Sequence, residues 1–202
     1  MKAKDTYKTI DASPKPILFK EKNSKFFGYV FPVLNETEVK LNLDKVKKEH
    51  HSARHWCYAY QTGTEQIIFR ANDDGEPSNS AGMPIYGQIQ SFGLTNVLII
   101  VVRYFGGVKL GVGGLIQAYK TTAQLALGSC TIIEKTINNQ YQLSFEYKDM
   151  NKVMRIIKEQ QLQIIHQQLE LSCNIAISVR KRDALKIHEM FERTFGIEIK
   201  KL

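Results

Sequence analysis

Glycines are concentrated in residues 103–115, which we call the glycine segment and which lie between an apolar run and a helix-like pattern. Such density is typical of positive backbone φ angles or of a close approach by another backbone or a ligand. Free amides at the start of the following helix attract anions, and Lys109 adds a positive charge. The pattern therefore predicts an anion-binding segment. The basic and glycine residues expected to take part are Arg54, Arg103, Gly106, Gly107, Lys109, Gly111, Gly113 and Gly114.

The glycine segment matches neither of two common nucleotide-binding loops. A Walker A loop requires Lys followed by Ser or Thr directly after its second glycine, and here Val112 follows Gly111. A dinucleotide-binding fingerprint that starts at Gly111 fails at Ile116, where its third glycine belongs. The alternative to an anion site is therefore a tight strand-to-helix turn with a glycine packing face. We expect a valine at Gly113 to disturb this backbone through steric conflict.

Carboxylates are concentrated in residues 72–85, which we call the acidic loop. Asp-Asp-Gly and Glu-Pro are turn-forming sequences, and Ser80 is placed to cap a helix that begins near Met83. The carboxylates also suit Mg²⁺ binding or acid–base chemistry, but their spacing matches no EF-hand loop. We predict a turn and a helix cap in preference to a metal site, with no cofactor.

Three histidines near residue 50 raise the question of zinc. His51 and His55 have the i, i+4 spacing of a helical ligand pair, but the residues between them look like the exit from a helix, and no further ligand is evident. We expect His50 to be exposed and His55 to be partly buried. An acid–base cluster would require the following residues to meet in space: Arg54, His55, Asp74 and Glu76. No motif places a serine or cysteine nucleophile beside a base.

Length and composition set the class of protein. With 202 residues, 43% of them hydrophobic, the chain can fill one or two domain cores. The longest apolar run, residues 97–102, ends at Arg103 and is too short to span a membrane. No apolar stretch follows the charged N-terminus, so we expect a cytoplasmic protein without a membrane partner. Three cysteines without a CxxC pair argue against a disulfide framework and against a zinc ribbon.

The charge balance is basic, with a net charge of +8 and a pI near 9.3. This balance favours polyanionic partners such as nucleic acids, although a solvated, Lys-rich surface produces it equally well. The excess lies outside the middle of the chain, because residues 51–136 contain six basic and five acidic residues.

Periodicity predicts an α+β first domain over residues 1–137. Asn35 and Glu38 are spaced as a capping box for its first helix. After the helix expected near Met83, a further helix carries an apolar face from Leu115 to Ala126 and ends at Gly128. Strands are expected at 26–33, 56–60, 66–71, 96–104 and 131–137.

The remaining residues, 138–202, differ in composition from the first domain, because Gly196 is their single glycine. Alternating and helical patterns follow each other in the order strand, helix, strand, strand, helix, strand. Asp149 is placed to cap the first helix. The second helix continues its apolar face through Phe191 to Phe195, and Gly196 closes it in the C′ position. This βαββαβ order predicts a ferredoxin-like domain with both helices on one face of an antiparallel sheet.

Three separate motifs resemble those of the IMPACT family in its bacterial, YigZ-type arrangement. They are Ser52-Ala-Arg-His-Trp-Cys-Tyr-Ala-Tyr60, Asp73-Asp-Gly-Glu-Pro-Ser78 with Ala81-Gly-Met-Pro84, and Arg103-Tyr-Phe-Gly-Gly-Val-Lys-Leu-Gly-Val-Gly-Gly-Leu115. The motifs occur in this order between Lys22 and Ile137, and residues 138–202 resemble the smaller domain of bacterial members. The further motif residues that the resemblance places at the site are His55, Asp73, Asp74, Gly75, Glu76, Pro77 and Ser78.

The resemblance implies a two-domain α+β protein. It implies an N-terminal domain that is ribosomal-protein-like and similar to domain four of elongation factor G, followed by a C-terminal ferredoxin-like domain similar to domain five. Eukaryotic relatives influence translational control through a partner of an initiation-factor kinase, whereas bacterial members have no settled activity. The resemblance therefore suggests a theme, translation, and no particular reaction.

We interpret the chain as a non-enzymatic, translation-regulating protein that binds RNA or the ribosome, with a protein partner in translation control as a further expectation. Phosphate contacts would come from Arg54, Arg103 and Lys109. Lysines near the N-terminus would extend this track, namely Lys20, Lys22 and Lys25.

Two alternatives stay open. The first is a small enzyme that binds a phosphorylated metabolite or a nucleotide at the glycine segment, with His55, Asp74 or Glu76 as acid or base. The second is a protein-interaction module. We also expect the acidic loop and the glycine segment to converge on one concave face of the first domain.

Overall fold

The computed structural model describes residues 5–202, which form two compact units. Tyr7–Lys135 make up the first unit, and Thr136–Leu202 together with Asp5 and Thr6 make up the second. The sequence places the boundary slightly later, after residue 137, and does not anticipate that Asp5 and Thr6 join the C-terminal part. Asp5 is held there because the Arg180 Nε atom donates to its Oδ2 atom at 2.6 Å.

A five-stranded sheet, in which every neighbouring pair is antiparallel, forms the centre of the first unit. Its strands, in spatial order, are β2 (Ile17–Glu21), β3 (Ser24–Pro32), β6 (Val97–Tyr104), β4 (His55–Thr62) and β5 (Ile68–Asn72). Two further strands, β1 (Thr6–Ile10) and β7 (Ile132–Thr136), pair with each other, and all their residues except Thr6 and Thr136 belong to this unit. Sequence analysis did not predict β1 and β2, because each has five residues of which at most two are buried.

Helices cover both faces of this sheet. One face packs against α1 (Glu36–Glu49), and the other packs against α2 (Gly82–Ser91) and α3 (Gly111–Gly128). The central strand β6 is buried on both sides, which explains why its sequence is an unbroken apolar run and not an alternating one. Among the described residues, no helix is both long and apolar enough to cross a membrane.

The predicted N-cap of α1 is confirmed, and the return bond of the capping box goes to the residue before the cap. Asn35 is the N-cap, and its Oδ1 atom accepts the backbone N–H of Glu38 at 3.0 Å. The Glu38 side chain reaches back to the backbone N–H of Leu34 at 2.8 Å. Val39 and Val46 are buried against the sheet, as their spacing predicts.

The second unit confirms the ferredoxin-like βαββαβ order. Its elements are β8 (Asn138–Glu146), α4 (Met150–Glu159), β9 (Gln163–Gln168), β10 (Ser172–Arg180), α5 (Ala184–Glu192) and β11 (Ile197–Lys201). The strands pair in the antiparallel order β11-β8-β10-β9, and both helices pack on the same face.

Three details of the second unit differ from the expectations. Helix α5 ends at Glu192, so Phe195 lies beyond it and is 91% exposed instead of facing the core. Gly196 has a φ angle of +88°, but it directly precedes β11 and is too far from the end of α5 to be its C′ residue. Asp149 is the N-cap of α4 as predicted, yet its carboxylate accepts Lys152 Nζ at 2.6 Å and caps no backbone amide.

Candidate functional site

Three side chains stand in one row across the sheet of the first unit, on the face covered by α2 and α3. Arg103, near the end of β6, has Phe26 of β3 as its register partner on one side and His55 of β4 on the other. The acidic loop leaves β5 beside β4, and the glycine segment begins with Arg103 itself. The sheet therefore brings parts of both segments to the same end of the unit.

Arg103 is a buried cation whose charge is balanced inside the protein. Its Nη1 atom donates to Glu76 Oε1 at 2.7 Å, and the two side chains are only 7% and 4% exposed. Tyr119 of α3 donates its hydroxyl to the same oxygen at 2.8 Å. The guanidinium carbon lies 5.6 Å from the ring centroids of both Phe26 and Phe105. Because the guanidinium is shielded from solvent and its charge is balanced by Glu76, Arg103 is placed as a structural cation and not as an exposed phosphate contact.

The acidic loop is held in place by its own carboxylates. Asp73 Oδ1 accepts the backbone N–H groups of Ala81 and Gly82 at 2.9 and 2.8 Å. Asp73 thus caps α2, whereas the Ser80 hydroxyl donates to the carbonyl of Pro77 at 2.6 Å. The predicted Ser80 cap is wrong because the loop folds back and presents a carboxylate, a strong acceptor, to the same amides.

His55 is partly buried, as expected, and lies against the acidic loop. Its Nδ1 atom is 2.8 Å from the carbonyl oxygen of Asp74, which assigns the proton of the neutral ring to Nδ1 and leaves Nε2 as an acceptor. Asp74 accepts the backbone N–H of Trp56 at 2.7 Å through Oδ2. Nε2 of His55 can therefore accept a hydrogen bond, while Asp73 and Glu76 are engaged in structural bonds.

The Cys57 thiol, which lies on β4 two residues after His55, is not a nucleophile. Cys57 is fully buried, and its Sγ atom lies 3.0 Å from the carbonyl oxygen of Asp73 and 3.3 Å from the Tyr119 hydroxyl. Burial raises the pKa of the Cys57 thiol well above its ordinary value, so the thiol stays protonated at neutral pH. Burial also raises the pKa of Tyr119, which keeps its proton as the donor to Glu76.

The glycines of the glycine segment serve different purposes. Gly106 is the most crowded, because a Cβ atom there would overlap the backbone of residues 23–24 in the turn between β2 and β3. Gly107 and Gly111 have φ angles of +86° and +71°, which side chains rarely adopt. Gly113 has neither a positive φ angle nor an atom within 4 Å of its Cβ position, so the steric conflict predicted for a valine there is wrong.

The first turn of α3 is exposed and has no side-chain cap. It begins at Gly111 and includes Gly113 and Gly114, and the N-cap residue Leu110 makes no side-chain hydrogen bond. Lys109 precedes this turn, is exposed, and makes no ion pair within residues 5–202. This turn therefore offers backbone amides and a free ammonium group to the solvent.

The family model of the Impact N-terminal domain matches residues 22–127, a stretch that contains the row, the acidic loop and the glycine segment. The chain belongs to the IMPACT family. It is 36% identical over 138 residues to the IMPACT family member YvyE of Bacillus subtilis, which covers 68% of this chain and 64% of that protein. It is 33% identical over 152 residues to the IMPACT family member YigZ of Escherichia coli, which covers 73% of this chain and 74% of that protein. The match thus spans just under two thirds of YvyE and about three quarters of YigZ.

The fold of this IMPACT family member has a solved counterpart. A crystal structure described as that of a hypothetical protein aligns with it at a TM-score of 0.75 and 25% identity, over 98% of each chain. The alignment extends over both units and agrees with the two-domain α+β class predicted from the sequence.

The prediction that His50, which lies just before the first IMPACT motif, is exposed is wrong. His50 is 7% exposed, with Nε2 2.6 Å from the Tyr29 hydroxyl and Nδ1 3.0 Å from the Tyr104 hydroxyl, and burial lowers its pKa. It is buried because it is the C-cap of α1, whose inner face packs on the sheet.

Within the described part of the chain, no group of three His, Cys, Asp or Glu residues could hold a metal ion.

Sequence reasoning missed the role of Tyr119 in the IMPACT site, because its place on the apolar face of α3 predicts only a core residue. A signal was present, since a buried tyrosine needs a partner for its hydroxyl. The remaining motif residues Gly75, Pro77 and Ser78 are exposed in the acidic loop, and Arg54 is exposed just before β4.

Proposed function

We propose that this protein is a non-enzymatic, cytoplasmic regulator of translation that binds RNA or the ribosome through the exposed part of the glycine segment. The observation that carries the proposal is the uncapped first turn of α3 beside the unpaired Lys109. Helix N-termini bind phosphate oxygens through their free amides, and a neighbouring lysine adds a charge that salt screens.

The hairpin of β2 and β3 supports the same surface. Its turn packs against Gly106, which allows no side chain between the two backbones. Three exposed lysines lie on this hairpin, namely Lys20, Lys22 and Lys25. Lys22 lines the same cavity as Leu110 and Gly114 at the start of α3, so it adds positive charge beside that turn. Lys20 and Lys25 alternate with Phe19 and Phe26, which pack under α3, and therefore project from the opposite face of the sheet.

Binding of the full chain to purified ribosomes and to a structured RNA, measured between about 50 and 200 mM salt, tests the proposal. Affinity should fall steeply as salt rises, and Lys109→Ala should lower the slope of log K against log salt by about one. Lys120→Ala is a matched control, because Lys120 is exposed on the same helix further from its first turn. Absence of binding at low salt, or equal losses in the two variants, would contradict the proposal.

A small enzyme is the second candidate, and a cavity favours it. A space of about 170 Å³ lies beside the start of α3, lined by Phe19, Glu21, Lys22, Leu110, Gly114, Gln117 and Ala118. This volume suits a phosphoryl group or a small phosphorylated metabolite. Thermal denaturation with Mg²⁺ and ATP, GTP or sugar phosphates tests it, since a ligand at about 100 times its Kd adds about 2.7 kcal/mol to the free energy of unfolding. A Tm that none of these compounds changes would remove this candidate.

A further inference from the structure

An exposed aromatic ring lies at the start of the glycine segment. Phe105 directly follows β6, and 55% of its surface is accessible to solvent. The same segment exposes two further apolar side chains, Val108 and Val112, at 46% and 53%. The surface proposed above to bind RNA therefore contains apolar groups as well as backbone amides and Lys109, and phosphate contacts alone would leave these apolar groups unused.

The Phe105 ring is held on one side by a fixed cation. The guanidinium carbon of Arg103 lies 5.6 Å from the ring centroid, a distance typical of cation–π contacts. The guanidinium is fixed in turn, because Arg103 Nη1 donates to Glu76 Oε1 at 2.7 Å. The fold therefore positions the ring, and its exposed surface is the part that Arg103 leaves uncovered.

The two glycines after Phe105 anchor its backbone and leave space beside it. A Cβ atom at Gly106 would overlap the backbone of residues 23–24, so Gly106 packs closely against the turn between β2 and β3. Gly107 has a φ angle of +86° and no atom within 4 Å of its Cβ position. The backbone next to Phe105 is thus packed on one side and open on the other, where a flat ligand group can approach.

The charges near Phe105 favour an anionic ligand. From residue 104 to residue 133 the chain contains Lys109 and Lys120 and no carboxylate. The carboxylate of Glu21 lines the cavity at the start of α3, but Lys22 lines it as well. A polyanion that also carries aromatic groups matches this combination of charge and apolar surface better than an uncharged ligand does.

A nucleotide with an unpaired base combines the two kinds of group that this surface can bind. Its phosphate is attracted by Lys109 and by the free amides in the first turn of α3. Its base has apolar faces, which stack on exposed aromatic side chains in proteins that bind single strands. The Cα atoms of Phe105 and Lys109 lie within about 14 Å of each other, because the two residues are four positions apart, and a short single strand spans this distance.

A duplex cannot use the same surface fully. Neighbouring bases cover both faces of each interior base in a duplex, so its phosphates could contact Lys109 but its bases could not stack on Phe105. The exposed ring therefore distinguishes the two forms of RNA.

We infer that Phe105 stacks on an unpaired base of the RNA whose phosphates contact Lys109 and the first turn of α3, so that this surface prefers single-stranded RNA to duplex. The inference rests on the RNA-binding function proposed above and specifies the form of RNA that is bound. A loop of a partner protein is the other occupant that exposed apolar side chains suit, and the experiment below separates it.

The test compares binding of the full chain to a single-stranded RNA of about 12 nucleotides and to the blunt duplex of the same sequence, at about 50 mM salt. The unmodified protein should bind the single strand more tightly. Phe105→Ala should weaken binding of the single strand about tenfold and leave binding of the duplex unchanged. Phe195→Ala is the matched control, because Phe195 is 91% exposed in the second unit and should be replaceable without effect on either RNA.

Removal of the bases tests the contact from the side of the RNA. An oligonucleotide of abasic residues keeps the sugar–phosphate chain, and the unmodified protein should bind it about tenfold more weakly than the complete single strand. Phe105→Ala should cause no further loss with this oligonucleotide, because the stacking partner is already absent. Phe105→Leu keeps an apolar side chain over Arg103 without an aromatic face, so it should also lose the preference for single strands and serves if the alanine variant does not fold.

The outcomes separate this inference from the proposed function. Equal binding of single strand and duplex by the unmodified protein, or equal losses for both RNAs in Phe105→Ala, would overturn the stacking contact and leave RNA binding itself intact. Affinity for the single strand that Phe105→Ala does not change would also overturn it, with a protein loop as the remaining occupant of the apolar side chains. Absence of binding to either RNA by the unmodified protein would contradict the proposed function, and the stacking contact with it.

Discussion

The acidic loop and the glycine segment both read as functional motifs, but the structure uses them differently. Two carboxylates of the acidic loop form contacts within the protein: Asp73 caps α2, and Glu76 forms an ion pair with Arg103. The glycine segment beyond Gly106 is exposed, and Lys109 has no ionic partner among the described residues. A cluster of charged residues can therefore serve to stabilise the fold, whereas glycines, which have no side chain, can leave backbone amides accessible to a ligand.

The largest effect should come from Glu76→Ala. It removes the partner of a cation that is almost fully buried, which costs about 3–5 kcal/mol of unfolding free energy. Urea denaturation measures the loss, and Glu76→Gln, which keeps an acceptor oxygen for Tyr119, should lose less. A loss below about 1 kcal/mol would mean that solvent or another group compensates Arg103, and the acidic loop would not be the scaffold described here.

The next largest effect is a difference in the free energy of unfolding between valine variants of two glycines in the glycine segment. Gly106→Val forces a side chain into the backbone of residues 23–24 and should cost about 3 kcal/mol, the upper end for overpacking. The Cβ atom of Gly113→Val meets no neighbour within 4 Å, and valine is a better helix former than glycine, so the free energy of unfolding should change by less than about 0.5 kcal/mol. Equal losses in the two variants would show that the segment is packed along its whole length.

Asp73→Ala should have an intermediate effect confined to α2 and to the acidic loop, where Asp73 Oδ2 also accepts the backbone N–H of Asn79 at 2.8 Å. Loss of its contacts with the first amides of the helix should cost about 2 kcal/mol, near the upper limit measured for caps. Hydrogen exchange should speed up at the amides of Ala81 and Gly82 and leave those of α3 unchanged. Protection lost equally from both helices would indicate that the acidic loop also supports α3.

The smallest effect on stability should come from Lys109→Ala. Its side chain is exposed and unpaired, so the free energy of unfolding should change by less than about 0.5 kcal/mol, as measured by urea denaturation. The same variant should lose RNA or ribosome affinity. Destabilisation comparable to that of Gly106→Val would make Lys109 a structural residue and remove the contrast with the acidic loop.

Most of the elements could be predicted from local patterns. The α1 cap, the buried strand β6 and the βαββαβ order of the second unit are each recorded in residue spacing, because helix and strand periods differ. The strands β1 and β2 could not be predicted in this way, since short strands with few buried residues carry little periodic signal. The prediction that the apolar face of α5 reaches Phe195 is wrong, because the sequence pattern continues after the helix has ended.

The site was less predictable than the elements. The sequence by itself determined that Glu76, Arg103 and Lys109 belong to dense and unusual motifs, and that the glycine segment joins a strand to a helix. Only the tertiary structure decided that Arg103 is neutralised by Glu76, that Asp73 caps α2 in place of Ser80, and that β5 has an open edge. The physical reason is that caps and strands depend on neighbours in the chain, whereas ion pairs and sheet edges depend on residues that folding brings together.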